Sequence, residues 1–337
     1  MVKKIIIKSA AFLACFCLLF SGAQNLLCRK ETEGTWNTTS KIAGFYNAPK
    51  NEFDVIFFGS SNTYCSFNPL ILWEEAGIKS YVFATQNQPL WATYYYMKDA
   101  FKRQKPKVAV LDALMLTKHK EYYDDGVNYS FADDMPFSLD KIQLVNASVP
   151  LEDRFDLLFN FTKYHSRWNE LTEKDYTFRR DQEQDYLKGY VLLEESFPTA
   201  FQNDVSGVTA VAELYEKNVE YFHKIVQLCR DEDVQLMLVK TPNNKTTAQE
   251  AHYKVIQELA AESGLAFIDY NEYYPQIGLD LSADFYDKSH LNYRGAEKFT
   301  RFFAQNLNLT ASNDANGTES AWNADLAQYQ EYIENLR

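Results

Sequence analysis

Only five of the 337 residues are cysteine, and none forms a Cys-x-x-Cys pair. That excludes a disulfide framework and leaves no zinc-type ligand spacing. Cys15 and Cys17 fall in an apolar N-terminal stretch, so Cys28, Cys65 and Cys229 alone remain for the rest of the chain. Basic residues are scarce as well. Against 46 Asp and Glu stand 34 Lys and Arg, a net charge of -12, so the bulk field repels nucleic acid and anionic lipid. There is no P-loop, no Rossmann glycine fingerprint and no His-Glu-x-x-His, so nucleotide and zinc chemistry find no support, and no metal or organic cofactor is expected. Internal repeats are absent too. Asp124-Asp125 and Asp133-Asp134 resemble cation sites only loosely and read as a solvated acidic face.

What is present is apolar and aromatic. Hydrophobic residues make up 46% of the chain and aromatics 15%, enough to bury a sizeable core and to exclude global disorder. The length fits one large domain with an elaborated insertion better than two equal ones. Lys3, Lys4 and Lys8 precede the mostly apolar stretch Ser9 to Ala23, the charged-then-apolar pattern of a secretory signal or a short signal anchor. Ser21-Gly22-Ala23 offers a small-residue cleavage site, whereas Leu26-Leu27 extend the apolarity as an anchor would. Both readings stay open for residues 1–28. Leu27-Cys28 carries only a faint lipoprotein pattern, because a bulky Leu stands where a small residue is expected. In either case the lysines hold the N-terminus in the cytoplasm and the body is expected to be extracytoplasmic.

Strand and helix signals then alternate. Val55 to Phe58, Tyr81 to Ala84, Val108 to Leu111, Val234 to Val239 and Ala266 to Ile268 read as five buried strands. Between them lie helical stretches, one opened by Asn68 and Pro69 and stopped by Gly77. This order predicts an α/β fold, a three-layer α/β/α sandwich around a parallel five-stranded sheet. Regularity fails over 113–210, which is too long for a passive loop and reads as a lid or subdomain. The core domain is placed at 50–310, and 311–337 is read as a linker with a C-terminal helix.

The chemistry concentrates in two distant segments. Gly59-Ser60-Ser61-Asn62 follows the first strand, and strand carboxyl ends are where open α/β sheets gather reactive groups. Asp287-Lys288-Ser289-His290 precedes the last core helix. A serine hydroxyl needs a general base within hydrogen-bond reach and an acid to orient that base. Ser61 is therefore the expected nucleophile, His290 the base and Asp287 its orienter. Cys65 has no basic neighbour in sequence and reads as packing.

At these residues the chain resembles the SGNH/GDSL hydrolase superfamily over about 54–111 and 211–307. Gly59-Ser60-Ser61 with Asn68-Pro69, then Gln88-Pro89-Leu90-Trp91 and Tyr94-Tyr95-Tyr96, looks like its membrane-associated, envelope-polysaccharide branch. That branch is similar, more distantly, to proteins of lipoteichoic acid D-alanylation and alginate acetylation. The resemblance implies a flavodoxin-like sheet and a serine-dependent O-acyl esterase or acyltransferase acting on an envelope polysaccharide, with an integral-membrane O-acyltransferase as candidate partner. The alternative is a non-catalytic glycan-binding or scaffold subunit. Where the superfamily carries oxyanion residues after its second and third strands, this chain reads Ala84-Thr85-Gln86-Asn87-Gln88 and Leu111-Asp112-Ala113-Leu114. Gln86, Asn87 and Gln88 are thus the candidate substitute donors. His165 and Arg167 in the insertion are candidates for gripping a sugar or an anion. Lys240, at a strand end, is a candidate for lining the pocket.

Overall fold

The computed structural model describes residues 2–197, 205 and 207–336. Five strands, β1 (Val55–Phe58), β2 (Ser80–Val82), β3 (Val108–Asp112), β4 (Gln235–Lys240) and β5 (Phe267–Asp269), pair in the order β2-β1-β3-β4-β5. Every pairing is parallel. Helices flank the sheet to give a three-layer α/β/α sandwich. β1 and β3 are buried along their whole lengths, which is why each reads as an unbroken apolar run rather than an alternation.

The helices are α1 (Val2–Leu27), α2 (Thr38–Asn47), α3 (Ser61–Ser66), α4 (Pro69–Ala76) and α5 (Leu90–Phe101), then the short α6 (Asp125–Ala132), α7 (Leu139–Ser148), α8 (Arg154–Leu158), α9 (Asn160–Tyr164) and α10 (Glu173–Thr177). The second half holds α11 (Glu216–Asp231), α12 (Thr247–Glu262), α13 (Tyr274–Ile277), α14 (Tyr293–Asn306) and α15 (Glu319–Leu336). α4 begins as its residues dictate: the Asn68 side chain accepts from the Leu70 and Ile71 N–H groups, Pro69 opens the first turn, and Gly77 at φ 63° closes the last.

Both ends of the folded body differ from the sequence boundaries. α2 belongs to the core, since Ile42 and Phe45 are buried and Phe45 stacks on Phe83 at 3.9 Å; the body therefore starts before residue 50. α15 is docked rather than trailing. Its Trp322, Tyr329 and Ile333 are buried, and the Trp322 indole donates to Glu52 at 2.9 Å.

Of the two acidic pairs in the insertion, Asp124-Asp125 is exposed as expected, whereas Asp133-Asp134 departs from expectation. Asp133 accepts from the Tyr164 hydroxyl at 2.6 Å and pairs with Lys163. Asp134 accepts from Thr39 at 3.0 Å and from Arg180 at 2.7 Å. These groups are an internal polar network, because partners far away in sequence make their burial affordable. Within the insertion, residues 198–204 and 206 lie outside the described residues.

α1 is the one helix among the described residues long and apolar enough to cross a membrane, with a mean hydropathy of 2.1 over its most apolar window. By length and composition it fits a signal or an anchor.

Candidate active site

The segment that carries Ser61 is shaped by Gly59. At φ 153°, a side-chain carbon there would stand 2.1 Å from Thr63 Oγ1 and 3.1 Å from Asp112 Cβ, so only glycine lets β1 turn this tightly into α3. Ser61 is the first residue of α3. Its N–H and that of Asn62 head the helix, where no preceding turn supplies a carbonyl.

His290 arrives from the other end of the chain on a closed loop. Phe285 bridges Leu291 in antiparallel fashion, the Tyr286 N–H donates to the His290 carbonyl at 2.9 Å, and the Asn292 N–H donates to the Asp284 carbonyl at 3.1 Å. Asn292 then caps α14 by accepting from the Arg294 and Gly295 N–H groups. The two segments are stitched together by the Asn62 side chain, which donates to the Ser289 carbonyl at 3.0 Å.

This scaffold sets His290 Nε2 2.9 Å from Ser61 Oγ. On the far side of the ring, Nδ1 is 2.9 and 3.0 Å from the Asp287 carboxylate oxygens. With Nδ1–H donating to Asp287, Nε2 keeps its lone pair toward the serine hydroxyl. Burial raises the Asp287 carboxyl, but the hydrogen bond and charge of the His290 ring and the N–H groups of Ser289 and His290 outweigh it and hold the group below its ordinary value. Asp287 is therefore held in its ionised form beside the ring.

The triad opens into a cleft of about 530 Å³ at the carboxyl edge of β1 and β2. Gln86 and Asn87 line it, and Asn87 takes φ 46°, a left-handed conformation that asparagine tolerates better than most residues. Gln88 does not line it. It is fully buried, with its amide accepting from Thr85 and donating to Thr93, both at 3.0 Å. Asp112 is likewise spent inside, accepting from the Thr241 N–H and hydroxyl and from the Leu114 N–H, each at 2.9 Å. The oxyanion candidates thus reduce to the backbone of Ser61 with Gln86 and Asn87.

Three further candidates are corrected by their surroundings. Lys240 is buried behind the cleft, its ammonium donating to Thr241 O, Asn243 and Asn271; burial pushes it down to about 8. His165 is exposed and its Nδ1 meets the Thr162 carbonyl at 2.7 Å. Arg167 donates to the Leu27 carbonyl at 2.6 Å and to Asp175 at 3.2 Å, so it clamps the end of α1 rather than facing the triad. Strand-end position and residue type predicted function for these groups, but each had a nearer partner.

In their place stand Trp36, Lys41, Tyr64 and Lys118. The Trp36 ring is 48% exposed and lies 6.4 Å from the His290 ring and 6.1 Å from Tyr64. Tyr64 is buried, and burial raises its phenol with Ser61 opposing. Burial lowers the Lys41 ammonium, with Asp185 and Cys65 opposing, and Asn37 Oδ1 accepts from it at 2.8 Å. Tyr64 sits one turn beyond Ser61 and was findable from helix spacing. Trp36 and Lys41 were not, because residues 29–49 carry no strand or motif that ties them to the triad.

A family model for an uncharacterised family matches residues 167–312. That region holds the Asp287 and His290 loop but not Ser61. No curated protein matches the chain.

Proposed function

We propose that this chain is an SGNH-type serine esterase or O-acyltransferase acting on an acylated cell-envelope polysaccharide outside the cytoplasm. The reading is supported above all by one observation: Ser61, His290 and Asp287 meet in sequence at hydrogen-bond distance in an open cleft. In this mechanism Ser61 Oγ attacks the acyl carbonyl while His290 Nε2 takes its proton. Asp287 stabilises the imidazolium that forms. The tetrahedral oxyanion is met by the Ser61 N–H and by Gln86 or Asn87. Collapse expels the sugar oxygen, which takes the proton from His290, and leaves the acyl group on Ser61. Water then gives hydrolysis and a second hydroxyl gives transfer. The scaffold alternative draws on the loss of Gln88 as a donor, since one missing oxyanion donor costs about 10²–10³ in rate. A fluorophosphonate probe decides between the two: a working triad labels Ser61 covalently, and absence of labelling on folded protein removes the enzyme reading.

Trp36 is the natural sugar platform of this cleft. Trp36→Ala should raise KM for the native glycan about three- to tenfold, the equivalent of ~0.5–1.5 kcal/mol of stacking, with kcat and thermal stability little changed. An unaltered KM would assign the ring to shielding His290 instead.

A further inference from the structure

The insertion carries an apolar surface that neither the core nor the cleft uses. Phe137 is 63% and Phe155 58% exposed, and Phe161 is exposed as well. They are not scattered. Phe159 packs against Phe155 at 4.8 Å and Phe137 at 6.1 Å, and Phe20 of α1 joins the group at 5.8 Å from Phe159 and 5.7 Å from Phe161. Contiguous exposed aromatic surface of this kind marks a partner or a membrane rather than ordinary solvent.

The position of Phe20 indicates which. Measured along α1 at 1.5 Å per residue, a hydrocarbon core of about 30 Å beginning beyond Lys8 is crossed in about 20 residues, ending near Cys28. Phe20 then lies about 10 Å inside the end of the helix. Rings packed against it from the side share that depth, the depth to which interfacial aromatic groups embed, about 5–10 Å. The body cannot swing away from this placement. Lys30 donates to the Asn25 and Leu26 carbonyls at 2.5 and 2.7 Å, Arg167 donates to the Leu27 carbonyl, and Asp175 holds both cations. Leu27 and Cys28 are buried against Tyr164. These contacts cap the last turn of α1 and fix the insertion beside it.

We propose that α8, α9 and Phe137 form a docking face that embeds in the outer leaflet of the lipid bilayer beside α1. The occupant is the acyl region of the bilayer itself, reached by apolar burial; the net charge of -12 gives no electrostatic attraction to anionic headgroups. The proposal rests on α1 remaining attached as a span. It also sets the catalytic cleft near the membrane surface. A second hollow of about 230 Å³, lined by Arg29, Tyr129 and Tyr164, shares Trp36, Thr38 and Gln86 with the triad cleft and leads from it toward the end of α1.

The test uses the full chain in phosphatidylcholine nanodiscs. Cys15 and Cys17 are replaced by serine, and Cys28, Cys65 and Cys229 are buried, so a thiol-reactive fluorophore reports only an introduced cysteine. Phe155→Cys, Phe161→Cys and, on the opposite sheet edge, Lys105→Cys are labelled separately and quenched by phosphatidylcholine carrying a shallow acyl-chain nitroxide. Quenching at 155 and 161 should exceed that at 105 about threefold or more. Equal quenching at all three sites, with the chain retained through carbonate extraction, overturns docking and leaves the anchor intact. Release by carbonate overturns the span itself and the docking with it. Protection of 155 and 161 in native membranes but not in nanodiscs assigns the face to an integral-membrane protein and also overturns the proposal. Thermal melting of each variant shows that the fold is kept, and fluorophosphonate labelling of Ser61 then reads the catalytic proposal independently.

Discussion

Ser61→Ala and His290→Ala should each remove about 10⁴–10⁶ of the turnover, and the double variant should be little worse than either, because members of a triad act as a unit. Asp287→Asn keeps nucleophile and base but loses the carboxylate that accepts from Nδ1 and stabilises the imidazolium, so it should cost less, about 10⁴. The structure adds a reason for the order. Asp287 Oδ1 also accepts from the Ser289 and His290 N–H groups at 2.7 and 2.9 Å, so its carboxylate helps shape the loop, and an asparagine whose oxygen keeps that place retains the loop while losing the charge. Turnover must be followed on the native glycan or as cellular acylation, since the reduced oxyanion donor set disfavours generic esters. If Ser61→Ala sustained full acylation while loss of the whole chain abolished it, the scaffold reading would replace the enzyme.

The second large effect is expected away from the reacting atoms. A side-chain carbon at Gly295 would stand 2.2 Å from the Asp284 carbonyl oxygen and 3.1 Å from its carbon. Both are backbone atoms, which cannot rotate aside as a side chain would. Gly295→Ala must therefore push the strand of the loop that runs from Asp284 to Asn292 away from α14, and Asp287 and His290 ride on it. A displacement of about 1 Å at the base is enough to cost ~10²-fold in kcat, and the overpacking should lower stability by about 1–3 kcal/mol. Thermal melting together with turnover measured well below the melting temperature separates the two effects. Near-wild-type kcat in a folded, destabilised variant would mean that the loop absorbs the strain without moving His290.

Much of the architecture was legible because its signals are local. The unbroken apolar runs of β1 and β3, the Asn68-Pro69 start and Gly77 stop of α4, and the spacing of Asp287 and His290 before α14 depend on neighbours only a few residues away. The second strand is observed at Ser80–Val82 rather than reaching Ala84; strand ends depend on hydrogen-bond partners that local pattern does not reveal.

The sequence by itself determined the alternating strand and helix order, the apolar N-terminal segment and the residue types of a Ser, His and Asp set, since these follow from short-range periodicity, glycine and turn chemistry and charge. Only the tertiary structure decided which polar groups reach the cleft. Arg167, Lys240 and Gln88 carry suitable chemistry, yet Leu27 O with Asp175, Asn243 with Asn271, and Thr85 with Thr93 occupy their donors and acceptors. Trp36 and Lys41, silent in the sequence, enter the cleft because α2 packs Ile42 and Phe45 into the core and brings the chain just before it alongside α3. The reason is that a buried polar group goes to whatever partner the fold places within about 3 Å, and that partner is usually far away along the chain.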